Sequence, residues 1–185
     1  MKNILFIVFL LFSIIINAQV IDCNNFSEER MNSVMFSEMN KYVKETHNGD
    51  SLIWSNAVQK DIMTDNYNFI KNNPSYGLQH NPKWIRDGKY AKTIPDTIII
   101  KIIEETSLTF QNYMYSEILG AFTIINSQAA FTYEFVVQEI MRGWYQSPSH
   151  AANMNADYKN QVVVGVCSYF DKKRRIIYIS FVHIG

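Results

Sequence analysis

The sequence predicts an α+β fold, and three observations carry that expectation. Three stretches, 27–43, 55–71 and 131–146, repeat apolar residues at helical spacing. The C-terminal part instead alternates apolar and polar residues in part, over two runs, Gln161 to Phe170 and Arg174 to His183, joined by Asp171-Lys-Lys173, which reads as an antiparallel hairpin. No repeat, low-complexity tract or linker divides the 185 residues, and the chain beyond its leader has single-domain length.

The chain opens with Lys2, an apolar run from Ile4 to Ile16 that contains only Ser13 as a polar residue, and Asn17-Ala18-Gln19. This is the pattern of a secretory signal peptide over residues 1–18, with Ala18 before the cut. An uncleaved anchor helix is the alternative, but the run is short against the ~20 residues of a membrane span. Cys23 lies well past the run and behind polar Asp22, so no lipoprotein box is present. No later segment is apolar enough to cross a membrane, and the expected location is secreted, periplasmic or at the cell surface. Residues 19–26 read as an N-terminal extension and 27–185 as one domain.

Seventeen basic and seventeen acidic side chains balance; losing Lys2 with the leader leaves sixteen against seventeen, a mature charge of −1. Without a basic field, nucleic acid is excluded as an expected partner. Lys172-Lys-Arg-Arg175 is the one basic cluster, read as a solvated hairpin turn, with a phosphate-binding or surface-binding patch as the alternative. The two cysteines, Cys23 and Cys167, leave two readings open. One is a disulfide of the kind exported proteins use, worth about 4–5 kcal/mol in the chain-entropy view of a long loop. The other is a buried strand thiol and a free thiol near the terminus.

Ser27, followed by Glu28 and Glu29, caps the first helix, and Met31, Val34, Met35, Met39, Tyr42 and Val43 form its apolar stripe. His47-Asn-Gly-Asp50 breaks it. Ser51-Leu-Ile-Trp54-Ser55 leads into a second helix that runs to about Lys71, with Ala57, Val58, Ile62 and Phe69 facing inward, Trp54 in the core and Asn72-Asn-Pro74 as the stop. A loop through His80, Trp84, Gly88 and Pro95 follows; Ile98 to Ile103 reads as a helix or turn, and Tyr113 to Gly120 as a strand entry. Thr132 caps the third helix, whose inward face is Phe135, Val136, Ile140 and Trp144. Pro148 ends it near Gln146 by pushing Ser147 out of the helical region, and Ser149 caps a new turn that holds His150.

That junction carries a resemblance. Trp144-Tyr-Gln-Ser-Pro-Ser-His150-Ala-Ala-Asn153 is similar to the W-x-x-S-P-x-H-R-x-N segment of bacterial CAP-superfamily proteins, the SCP-like group that includes the cysteine-rich secretory proteins, antigen 5 and plant pathogenesis-related proteins. Val163-Val-Gly165-Val166 and the final Tyr178-Ile-Ser-Phe-Val-His-Ile-Gly185 fall where that family has a G-V-G strand and its last strand. The resemblance implies an α-β-α sandwich with a central antiparallel sheet. It also implies a surface cleft lined by His80, Glu117 and His150, with Asn81 where Ser is usual after the first His, and Ser116 and Ile118 where Gly and Asn flank the Glu. A second glutamate of the eukaryotic relatives is replaced by Ser147, leaving a triad. Two imidazoles and a carboxylate suit a divalent metal, typically zinc on His80 and His150, or a metal-free polar cluster.

Three function classes follow from that triad: an exported, non-catalytic binding module for a small ligand, lipid, peptide or glycan; a metal-dependent hydrolase with Glu117 as general base; or a purely structural surface module. Ser147 and Ser149 beside His150 do not make a nucleophile–base pair, because neighbouring positions on one helical turn lack that geometry and no G-x-S-x-G is present. His47 reads as a loop residue and His183 as the end of a strand.

Overall fold

The computed structural model describes residues 19–47, 51–73, 78–86, 89–90, 94–108, 110, 115–125, 130–155 and 162–185. The expected signal peptide, 1–18, and the loop positions 48–50, 74–77 and 87–88 lie outside them. Helix α1 is Glu28–Thr46, strand β1 is Leu52–Trp54, and a continuous helical segment over 56–72, here α2, joins Asn56–Val58, a π-helical stretch Gln59–Met63 and Thr64–Asn72. A small antiparallel pair, β2 (Ile85–Arg86) and β3 (Lys89–Tyr90), precedes α3, Asp96–Thr106. Strand β4 (Tyr115–Thr123), α4 (Tyr133–Gln146), α5 (Pro148–Met154) and the strands β5 (Val162–Asp171) and β6 (Ile176–Ile184) complete the chain.

The α+β class holds. The main sheet runs β1-β5-β6-β4, and its register is continuous, from Val163↔Ile184 to Asp171↔Ile176 and from Tyr115↔Ile184 to Thr123↔Ile176. It is not wholly antiparallel. β1 pairs parallel with β5, Leu52↔Val162 to Trp54↔Val164. Only strands joined by a tight turn are obliged to run antiparallel, whereas β1 and β5 are separated by most of the domain.

Helices cover both faces, which explains why β5 reads almost continuously apolar (VVVGVCSYFD). Alternation sends Val162, Val164, Val166, Phe170, Ile177, Ile179, Phe181 and Ile118 against α1 and α4. Val163, Cys167, Val182, Ile184 and Tyr115 face α2 and α3. Gly165 allows the second layer to close, since a Cβ there would meet Val58 Cγ1 at 2.6 Å and Met63 Cγ at 2.7 Å. Gly120 does the same for α4, where a Cβ would lie 2.4 Å from Ile140 Cγ2. Cys23 packs on the α1/α4 face and Cys167 on the other, so the sheet separates the two thiols and both are free.

Local details both meet and depart from the sequence reading. Ser27 and Thr132 cap as expected, accepting from Arg30 N and Phe135 N at 3.1 Å each. Ser149 does not cap: Ser147 takes the N-cap position of α5, extended at φ −95°, ψ 118°, because Pro148 is suited to the first helical position. Phe135 is 43% exposed, because α4 buries Tyr133, Val136, Val137, Ile140 and Trp144 and Phe135 falls beside that stripe, stacked on Phe131. Phe69 is only half-buried. The π-helical stretch inserts an extra residue, and beyond it Tyr67 and Ile70 pack against the α2/α3 cluster in place of Phe69. Trp54 is also half-buried, at the end of a three-residue edge strand and edge-on to Phe36. The hairpin turn falls at 172–175, beyond Asp171, whose carboxylate accepts from Lys173 N and Arg174 N. Ile21, in the N-terminal extension, is buried, and its N–H donates to Phe131 O at 2.7 Å.

Candidate functional site

Strand alternation places Glu117, with Tyr115, on the α2/α3 side of β4. Its side chain is 1% exposed, and a buried carboxylate must be hydrogen-bonded to be tolerated. Three donors do this. Oε1 accepts from Ser180 Oγ at 2.7 Å and Asn66 Nδ2 at 2.9 Å, and Oε2 pairs with His80 Nδ1 at 2.9 Å. Because Oε2 acts as acceptor, Nδ1 carries the imidazole proton and Nε2 is the ring nitrogen left for other partners.

His80 is held by its loop. Asn81 is buried and donates to Asn66 Oδ1 at 3.1 Å, while its own Oδ1 accepts from Lys83 N. Trp84 is buried in the α2/α3 cluster, its backbone N–H donates to Asn81 O, and Lys83 pairs with Asp65 on α2. The imidazole of His80, 39% exposed, is thus the outward end of a chain whose inner members are closed to solvent.

His150 approaches from the other layer. Met154 is buried with the α1/α4 cluster, α5 packs on α4 and β4, and Asn155 Oδ1 accepts from Tyr42 Oη at 2.7 Å. His150 itself is half-buried. Burial, and then the charge of His80, hold its pKa below the ordinary value. The structure brings His80 and Glu117 into direct contact, while His150, on α5, is related to His80 through charge. Tyr115 borders the cluster; burial and then the Glu117 carboxylate raise its phenol well above the usual range. His183, on the opposite face, is held neutral by burial, its pKa lowered to about 4.

A zinc ion would find two imidazoles here. The carboxylate is turned inward and occupied by three partners, which is the role of a group that orients an imidazole rather than one that binds metal. Among the described residues no set of three or more His, Cys, Asp and Glu side chains is arranged to hold a metal ion. Catalytic zinc normally has three protein ligands, so the donor set falls one short.

The sequence reading missed Asn66, Asn81 and Ser180, which fix the carboxylate. Ser180 could have been found as the polar residue between Ile179 and Phe181 in a strand whose other strongly polar side chain is His183. Asn66 could also have been found, as a polar residue four after Ile62 and three before Phe69 on the expected inward face.

No protein-family model matches this sequence, and no curated protein does. Among solved structures, an outer surface protein from Borrelia burgdorferi is similar at 16% identity with a TM-score of 0.49, over 89% of this chain and 96% of that one.

Proposed function

We propose that this chain is an exported binding module of the CAP type, in which His80 and His150 present polar edges to a small ligand or to a lipid, peptide or glycan group. The observation that carries the reading is the relay Ser180/Asn66–Glu117–His80: a fully buried carboxylate spends three hydrogen bonds fixing one half-exposed imidazole. A purely structural cluster has no need for an outward, oriented imidazole. A metal-dependent hydrolase would need a third metal ligand, and Glu117, tied inward, is not placed as a general base toward solvent. Divalent metal enters this proposal only as a weakly held ion on His80 and His150. The export signal and the W-x-x-S-P-x-H-like segment from Trp144 to Asn153 support the CAP assignment.

Calorimetric and NMR titration test it, with zinc and with sets of phospholipid headgroups, peptides and glycan fragments, on the protein and on a His80→Ala, His150→Ala double variant. The module reading expects saturable binding that the double variant loses while remaining folded, and no turnover of ester, peptide or glycan substrates. Equal binding by both forms would overturn the site. Turnover abolished by Glu117→Gln would replace the module by the hydrolase.

A further inference from the structure

One end of the molecule combines features that the cleft does not use. The β5–β6 turn carries Lys172, Lys173, Arg174 and Arg175. Its backbone joins the end of β4, since Ile124 N–H donates to Arg175 O at 2.9 Å, and Ile125, the next residue, is 89% exposed. From the same strand end Phe122 contacts Phe131 and Phe135, with centroids at 5.4 and 6.1 Å, and Phe131 stacks on Phe135 at 5.6 Å. The N-terminal stretch closes the group: Val20, half-exposed, bridges to Thr132, and Lys172 Nζ donates to Asn24 O at 3.1 Å.

The charges at this end are unbalanced. Arg174 pairs with Asp171 at 3.2 Å, Arg30 pairs with Glu134 beside Phe135 at 3.0 Å, and Asp22 accepts from Asn24 N. Five cations against these three carboxylates leave an excess of two on a chain whose total is neutral. Among the described residues, no carboxylate bonds the side chains of Lys173 or Arg175. Cations bordering exposed aliphatic and aromatic side chains form the combination that binds an anionic bilayer: the cations meet lipid phosphates while the apolar groups enter the headgroup boundary. A purely solvated turn would not adjoin three clustered phenyl rings and an isoleucine left almost entirely in water.

We infer that this end, formed by the Lys172–Arg175 turn with Ile125, Phe135 and Val20, docks the domain on an anionic lipid surface. The chain enters the domain at the same end, through Val20 and Ile21. The face would act as a weak, salt-sensitive contact. The inference does not depend on what the His80 cleft binds.

The test is cosedimentation of the exported protein with vesicles of equal parts phosphatidylglycerol and phosphatidylcholine, and with vesicles of phosphatidylcholine alone. Binding is expected to the anionic vesicles, weaker on neutral ones, and screened by added salt. Lys173→Glu and Arg175→Ser should each weaken it about five-fold or more, given the energy that one cation near such a surface contributes. Ile125→Asp, at a position that packs on nothing, should weaken it without lowering the melting temperature. Equal binding to both vesicle types, no binding to either, or anionic binding unchanged in all three variants would overturn the inference. So would a dimer in light scattering that Ile125→Asp dissolves while vesicles bind neither form, which would assign the face to a second copy of the chain.

Discussion

The two faces of the sheet solve one packing problem with different materials. Against α1 and α4 the interior is mostly methionine, valine, isoleucine and aromatic side chains, including Met31, Met35, Met39, Val136 and Trp144, with Ser116, Ser168 and His183 as scattered polar residues. Against α2 and α3 an apolar cluster around Ile62, Ile102 and Val182 shares its layer with Asn66, Glu117, Ser180 and Asn81. Burying that polar group adds nothing obvious to stability, since satisfied buried ions are at best near neutral against apolar replacements. The difference teaches where this fold commits specificity: one face holds the structure together, and the other holds one side chain, His80, in one orientation.

The largest test of that division is Trp144→Ala on the apolar face. It removes the indole from between α4 and Gly120 and the 2.6 Å bond from Nε1 to Leu119 O, and it should cost about 3–5 kcal/mol in urea denaturation. A midpoint unchanged from the native protein would show that α4 is not the pillar of that face. Next comes Glu117→Ala, which strands Asn66, Ser180 and His80; about 3 kcal/mol is expected. Glu117→Ala and Asn66→Ala combined should fall well short of the sum of the two single costs, since each removes the other's partner. Strict additivity would mean that the polar side is a set of separate bonds and not a unit.

Acid separates the faces by window. His183, on the apolar side, titrates near 4 when folded and near the ordinary histidine value of about 6.5 when unfolded. Between those values the unfolded chain holds the extra proton. The stabilisation is therefore complete above about pH 6.5 and declines as pH falls toward 4, by up to about 3 kcal/mol. His183→Gln should flatten the fall in urea midpoint between neutral pH and about 4.5, and an unaltered slope would assign the acid sensitivity elsewhere. The smallest effect belongs to Glu105. It caps α2 by accepting from Ser55 Oγ, Asn56 N, Asn56 Nδ2 and Ala57 N at 2.8–3.1 Å. Burial raises its pKa, but these bonds outweigh that and leave it lowered, so its contribution is lost only in more acid solution. Glu105→Ala should cost about 1 kcal/mol, and a larger loss would place α2 nearer the centre of stability than the apolar face.

Most of the apolar face was legible in the sequence. The α1 stripe, the Thr132 cap, the stop at Pro148 and the inward Trp144 follow from 3.6-residue spacing and proline chemistry, which act locally. On the other face Val58 and Ile62 follow from helical spacing, while the pairing of His80 with Glu117 was reachable only through the resemblance. Asn66 lies on the helical stripe of Val58 and Ile62, but its role depends on meeting Glu117 across 51 residues, and Asn81 became a brace because of a contact made across fifteen residues. The parallel β1 was hidden because three residues are too few to show alternation.

The hydrogen bond from Trp144 to Leu119 also bears on how the protein behaves in a crowd. Ser55 N–H to Val164 O and Val166 N–H to Gln59 Oε1 show that the even residues of β5 turn their backbone toward β1. Alternation across β6 then leaves the odd residues of β4 facing outward. β4 is a nine-residue edge, long enough to recruit a foreign strand. The indole occupies the Leu119 carbonyl near its middle, and Gln59 occupies Val166 N–H where β1 stops short on the opposite edge. Each side chain plugs the point at which an intruding strand would make its first bonds. Loss of Trp144 should thus be felt twice, as a softer core and as an opened seam through which neighbouring molecules can assemble into fibrils.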